Sequence, residues 1–133
     1  ERGGGAWLNG QRLHVSDRRE MMDCLVTLDW PRAPEERQQC ADYLARVASH
    51  VDAVRSRGCA SLGLCYIAAG WADAYLQYTL SAWDVAAGVL LIEEAGGQTT
   101  DLRGNPYRLE QPDWLATNGY IHDAMLAHRP FGD

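Results

Sequence analysis

Residues 83–97 read Trp83-Asp84-Val85-Ala86-Ala87-Gly88-Val89-Leu90-Leu91-Ile92-Glu93-Glu94-Ala95-Gly96-Gly97. From Val85 to Ile92 every residue is apolar or glycine. That pattern predicts a helix over about 82–95, covered on all sides by two layers. Gly96 and Gly97 end it, and Asp84 stands at its head. A charge opening a buried helix needs a reason. The positive end of the helix favours an anion, a capping residue is often an acid, and a divalent cation would also use a carboxylate.

Working outward, helix and strand signals alternate. Residues 72–78 predict a strand, and 59–69 a helix that Gly70 closes in the left-handed conformation. Residues 52–57 predict another strand, broken by Gly58. Upstream, Pro34-Glu35-Glu36 opens a helix, because proline suits a first turn and the acids suit its dipole. Cys40, Tyr43, Leu44, Val47 and Ala48 share one face of it. Residues 24–28 read as a buried strand, and 6–15 as a hairpin turning at Asn9-Gly10, a pair that tolerates two positive φ angles. Downstream, short strands near 98–101 and 114–117 flank a turn-rich loop with Gly104-Asn105-Pro106, and a terminal helix covers about 121–128.

The fold class is therefore α/β, with alternating helices and a mixed, largely parallel sheet. In such sheets ligands gather beyond the carboxyl ends of strands, where loops feed into helices. Gly58-Cys59-Ala60, Gln77 and Asp84 all fall at such ends.

At 133 residues the chain is one domain at most, or part of one. Its net charge of −6 is spread rather than clustered, and no basic patch suits a nucleic-acid backbone. The longest apolar run is far too short to span a bilayer. No opening segment reads as a signal peptide. Cys24, Cys40, Cys59 and Cys65 have no zinc-site spacing, and three fall in strand or helix interiors, so a reducing cytoplasm is the simplest compartment. His14, His50, His122 and His128 show no ligand spacing. Gly3 to Gly5 lack the Lys-Ser/Thr ending of a phosphate loop. The five tryptophans are expected in the core or on strands, and Asp73 and Glu94 in turns or at helix ends.

Trp83-Asp84-x-Ala86-Ala87-Gly88 followed by Glu94-Ala95-Gly96-Gly97 resembles the carboxyl-terminal signature of the inositol monophosphatase family. Arg55 through Ser61, Gly70 through Tyr75 and the opening Gly5-Ala6-Trp7-Leu8-Asn9-Gly10 resemble the same family. The likeness runs from about residue 3 to about residue 127. It implies the carboxyl-terminal half of a layered αβαβα sugar-phosphatase fold. Residues 1–20 would be a hairpin remnant of the amino-terminal half, and 21–133 the carboxyl-terminal α/β domain. The implied activity is magnesium-dependent hydrolysis of a small phosphate monoester by metal-activated water, in inositol phosphate metabolism or nearby. The resemblance also implies a homodimer of the intact protein, beside the cytoplasmic location and the lack of a nucleic-acid or membrane partner already read from cysteine usage, charge and apolar run length.

Residue by residue, the resemblance makes Asp84 a ligand of Mg2+ that also touches a substrate hydroxyl. The alternative is a helix cap. Gly58-Cys59-Ala60 becomes a backbone wall beside the substrate, against a plain strand-to-helix turn. Cys59 has no histidine placed to make it a nucleophile. Gln77 stands where inositol-specific members would carry a substrate-binding glutamate, which shifts the expected substrate toward other sugar, polyol or nucleotide phosphates. The family pattern also includes a Glu-Glu pair and an Asp-Pro-x-Asp-Gly-Thr motif that hold the first metal. Neither motif of that second kind nor any Asp-x-x-Asp-Gly occurs here, so the isolated chain is expected to lack turnover. The alternative function is a non-catalytic module of the same fold that binds a metabolite or a partner.

Overall fold

The computed structural model describes residues 1–129. A small antiparallel hairpin, β1 (Trp7–Leu8) and β2 (Gln11–Arg12), opens the chain. Asn9 and Gly10 take φ of 51° and 79° at its turn, as the Asn-Gly pair predicts. Five further strands form one sheet: β3 (Leu25–Leu28), β4 (Ala53–Ser56), β5 (Ala74–Tyr78), β6 (Gln98–Thr100) and β7 (Asp113–Thr117). Their spatial order is β4-β3-β5-β7-β6. The helices are α1 (Pro34–Val47), α2 (Ala60–Ala68), α3 (Ala82–Glu94) and α4 (His122–Ala127). None of them is long and apolar enough to cross a membrane.

The sheet is mixed, as the alternation predicts, but its parallel part is confined to β4-β3-β5. There Val26 lies between Val54 and Ala74. Strand β7 runs antiparallel to both β5 and β6, with Gln77 opposite Trp114. Successive side chains of a strand point to opposite faces, and the core divides accordingly. Ala74, Leu76 and Tyr78 join Cys40, Tyr43 and Val47 of α1 and Met125 of α4 in one cluster. Tyr75, Trp114 and Ala116 join Leu64 and Ile67 of α2 and Val85, Val89 and Ile92 of α3 in the other. The result is three layers, with helices on both faces of the sheet. α2 and α3 approach closely because Gly88 has no side chain: a Cβ there would lie 2.6 Å from Leu64 Cβ.

Three expectations need correction. α3 is not covered all round: Val85, Gly88, Val89 and Ile92 are buried, whereas Ala86 and Ala87 are exposed and Leu90 is half-buried. Its buried side packs on the sheet, on α2 and on Ala6 and Val15 of the opening segment. The buried face of α1 stops at Val47, since Ala48 enters a 3-10 turn (Ala48–His50) and is exposed. Of the tryptophans only Trp114 is buried; Trp7, Trp30, Trp71 and Trp83 are exposed.

Buried polar groups tie the layers together. Asp73, fully buried, accepts hydrogen bonds from the Leu25 N–H (2.7 Å), the Ser16 hydroxyl and the Arg18 guanidinium (3.0 and 3.3 Å). It joins the segment after the hairpin to the start of β3 and the start of β5. Glu94 accepts the N–H groups of Gly3 (2.6 Å) and Gly5 (2.8 Å), which lower its pKa. The early glycines therefore serve the end of α3. All four cysteines are free; burial raises the thiols of Cys24 and Cys40 to about 12 and about 11.

His122 is buried between two hydroxyls, with Nε2 2.8 Å from Thr100 Oγ1 and Nδ1 2.9 Å from Thr117 Oγ1. Burial disfavours the imidazolium and lowers its pKa from 6.5 to about 4. Between these values the unfolded chain binds a proton that the folded chain does not, so stability falls as pH drops from about 6.5 toward 4. The loss amounts to up to roughly 3 kcal/mol. Urea unfolding at pH 7 and pH 5 measures it, and His122→Gln should flatten the difference. An equally steep pH dependence in that variant would remove His122 as its source.

Candidate functional site

The three parallel strands β3, β4 and β5 end at the same rim of the sheet. The loops that leave them enclose a cleft of about 740 Å³. The turn after β3 brings Asp29, Trp30, Pro31 and Arg32 to it, and the turn after β4 brings Gly58, Cys59 and Ala60. The end of β5 and the loop beyond bring Gln77, Thr79 and, at the start of α3, Asp84. All five residues singled out from the sequence therefore share one cavity. The parallel topology makes them converge, as switch-point sites do in open α/β sheets.

Asp84 is half-buried and occupies the third position of α3. Its Oδ2 accepts the Ser81 N–H at 3.2 Å, while Ser81 caps the Asp84 N–H in return. This reciprocal capping box fixes the carboxylate. Oδ1 makes no hydrogen bond within the described residues. One Asp84 oxygen thus serves the helix, and the residue itself lines the cleft.

Gly58 has φ 73°, which explains glycine at the end of β4. Its N–H is taken: it donates to Asp29 Oδ1 at 2.5 Å. The wall is therefore built by Cys59 and Ala60 at the start of α2, with Gly58 pinned behind them. Cys59 is exposed as the N-cap of α2, and the Ser61 hydroxyl and the Leu62 N–H lower its thiol pKa. Gln77 is buried, and its Oε1 accepts the Tyr78 N–H at 3.1 Å. With the oxygen engaged, the Gln77 side-chain NH2 is a donor without a partner among the described residues.

Four cleft or supporting residues are not legible from spacing. Asp29 is buried and accepts both the Gly58 N–H and the Tyr75 hydroxyl, the latter at 2.9 Å. The Tyr75 ring fits only because Gly63 has no side chain; a Cβ there would lie 2.7 Å from the ring. An acid directly after a parallel strand was the available signal for Asp29. Thr79 has φ 56°, a strained value for a β-branched residue. Two bonds hold it there: its N–H donates to the Pro112 carbonyl at 2.9 Å, and its hydroxyl donates to Glu36 Oε1 of α1 at 2.5 Å. This clasp sets the course of the chain between Gln77 and Asp84, and no sequence pattern announces it.

Among the described residues, no three His, Cys, Asp or Glu side chains come together as a group able to hold a metal ion. Asp29 spends both oxygens on Gly58 and Tyr75, and Glu36 engages Thr79. The donor set thus fits a single carboxylate contact from Asp84 to one magnesium ion, not a pair of ions.

The sequence matches the family model described as "Inositol monophosphatase family" over residues 1–131. An inositol-1-monophosphatase of Mesorhizobium japonicum is 40% identical over 129 residues, covering 95% of this chain and 48% of that protein. A Nus factor SuhB of Pseudomonas aeruginosa is 40% identical over 128 residues, covering 94% and 47%. The crystal structure of extragenic suppressor protein SuhB from Bartonella henselae superposes with a TM-score of 0.93 at 34% identity, covering 100% of this chain and 52% of that one. The chain spans about half the length of the curated relatives it matches.

The Asp29 carboxylate gives a direct test of how the rim is held. Tyr75→Phe removes one of its two hydrogen bonds without changing the ring, and should cost about 1–3 kcal/mol. Denaturant unfolding checks this. An unchanged unfolding midpoint would mean that the Tyr75 hydroxyl contributes nothing to the Gly58 turn.

Proposed function

The chain belongs to the inositol monophosphatase family, and we propose that it is the carboxyl-terminal part of a Mg2+-dependent phosphatase acting on a small phosphate monoester of a sugar, polyol or nucleotide. The single observation that supports this most is the gathering of Gly58, Cys59, Ala60, Gln77 and Asp84 in one cleft at the ends of the parallel strands. A non-catalytic binding module would fill the same cleft but would need no acid at Asp84. The names of the curated relatives support hydrolase chemistry.

Magnesium, when bound, supplies a water acidic enough to attack phosphorus and neutralises charge on the ester. Asp84 would hold it through Oδ1, while the Ser81 N–H keeps Oδ2 oriented. Gln77 presents its NH2 to the alcohol portion of the substrate, and Cys59 and Ala60 close the opposite side of the cleft. Gly58 keeps these two residues in place through Asp29. The remaining metal-holding acids must come from outside this chain, so the isolated 133 residues have no turnover. A cytoplasmic homodimer belongs to the same reading.

Assaying the intact protein against a panel of phosphate monoesters, with magnesium and with EDTA, tests the proposal. Asp84→Asn should lower kcat/KM about a hundredfold or more, the cost of removing several kcal/mol of charge stabilisation. Its unfolding midpoint should change little, because an asparagine amide oxygen can still accept the Ser81 N–H. Full activity in that variant, or in EDTA, would refute the magnesium site.

A further inference from the structure

Cys59 lines the cleft, yet its place in the wall uses only its backbone and bulk and leaves its sulfur unassigned. The four thiols of the chain are far from equivalent. Cys24 and Cys40 are buried, which raises their thiols to about 12 and about 11. Cys65 is half-buried and is also raised, chiefly by burial. Cys59 alone is exposed, and it stands as the N-cap of α2. Its Sγ lies 3.5 Å from the Ser61 hydroxyl. That hydroxyl and the Leu62 N–H favour the thiolate, against a weaker opposition from Asp29. A thiolate at a helix start is also favoured by the helix dipole.

A second feature shows that the cleft around this sulfur is shaped for a ligand. Gln77 is only 7% exposed, yet its NH2 has no partner among the described residues, and it shares the lining with Cys59. Arg32 is unpaired there too, and Glu36 has only one oxygen engaged, by the Thr79 hydroxyl. Unused donors and an unused acceptor thus line a cavity of about 740 Å³ around an exposed thiol. Such a lining suits a small molecule that carries both a carboxylate and an ammonium group.

We infer that Cys59 is a modification site, at which a low-molecular-weight disulfide of the amino-acid type, such as cystine, exchanges onto the chain and closes the cleft. The Cys59 thiolate attacks one sulfur of the disulfide. A new S–S bond forms as the old one breaks, and the departing thiolate takes up the proton that Cys59 gave to solvent. Cys59 is oxidised and half of the disulfide is reduced, so no other oxidant enters. Attack on an ester would call for a histidine to activate the sulfur, whereas attack on a disulfide needs only the thiolate. The added half-cystine occupies space beside the wall formed by Cys59 and Ala60. Its effect on turnover rests on the phosphatase reading; the thiol site does not.

The test treats the intact protein with cystine and maps the modified peptides by mass spectrometry. Among the four cysteines of this chain, Cys59 should react at least about tenfold faster than Cys65, with Cys24 and Cys40 untouched. Relative to their rates with free cysteine, cystine should outpace the uncharged hydroxyethyl disulfide at Cys59. Turnover of phosphate monoesters should fall in step with Cys59 modification and return on reduction with dithiothreitol. Cys59→Ser, whatever its own rate, should be insensitive to cystine. Faster reaction of Cys65, Cys24 or Cys40 overturns the inference, as does a modified Cys59 with turnover intact or a Cys59→Ser protein that cystine still inhibits. Equal relative rates for the two disulfides would overturn recognition by the cleft. If the untreated protein turns over no ester at all, the phosphatase reading fails instead, and the mapping still decides the thiol site.

Discussion

The alignment of β3, β4 and β5 is the constraint on which the rest of this structure depends. Parallel strands end at the same rim, so the loops leaving them must meet there. Two buried carboxylates hold that alignment at its two ends. Asp73, at the start of β5, takes the backbone N–H of Leu25 at the start of β3 and also Arg18 from the preceding segment. Asp29, just past the end of β3, takes the backbone N–H of Gly58 past β4 and the hydroxyl of Tyr75 in β5. A buried carboxylate stripped of its partners is costly, whereas one fully hydrogen-bonded fixes the register of everything it touches. The cleft inherits its geometry from these two groups.

Function and stability share residues here. The Asp84 carboxylate closes the capping box of α3 with one oxygen, and the residue itself lines the cleft. Gly58 makes the turn after β4 and surrenders its N–H to Asp29, so this side of the cleft is held by a buried carboxylate. Thr79 is held at a strained φ by Glu36 and Pro112, which fixes the path from Gln77 to Asp84. Local strain of this kind persists only where surrounding contacts over-determine it. A site pre-set in this way loses little entropy when it takes up a ligand.

The sequence determined a good deal by itself. The Asn9-Gly10 turn, the helix opened by Pro34, the left-handed Gly70 and the helix behind Asp84 are local matters, set by φ preferences and by the spacing of apolar residues. The placing of Gly58-Cys59-Ala60, Gln77 and Asp84 at strand ends followed from the alternation of helix and strand. Only the tertiary structure decided which sides of those elements are covered. Apolar content alone suggested that α3 was enclosed, yet Ala86 and Ala87 face outward, because covering depends on what else packs there. Four of the five tryptophans lie exposed for the same reason. Asp29, Tyr75, Glu36 and Thr79 act through partners between 29 and 46 positions away in the chain, a separation that no local pattern records. Hydrogen bonds between distant residues are products of the packed sheet, and the packed sheet is where the cleft acquired its charges.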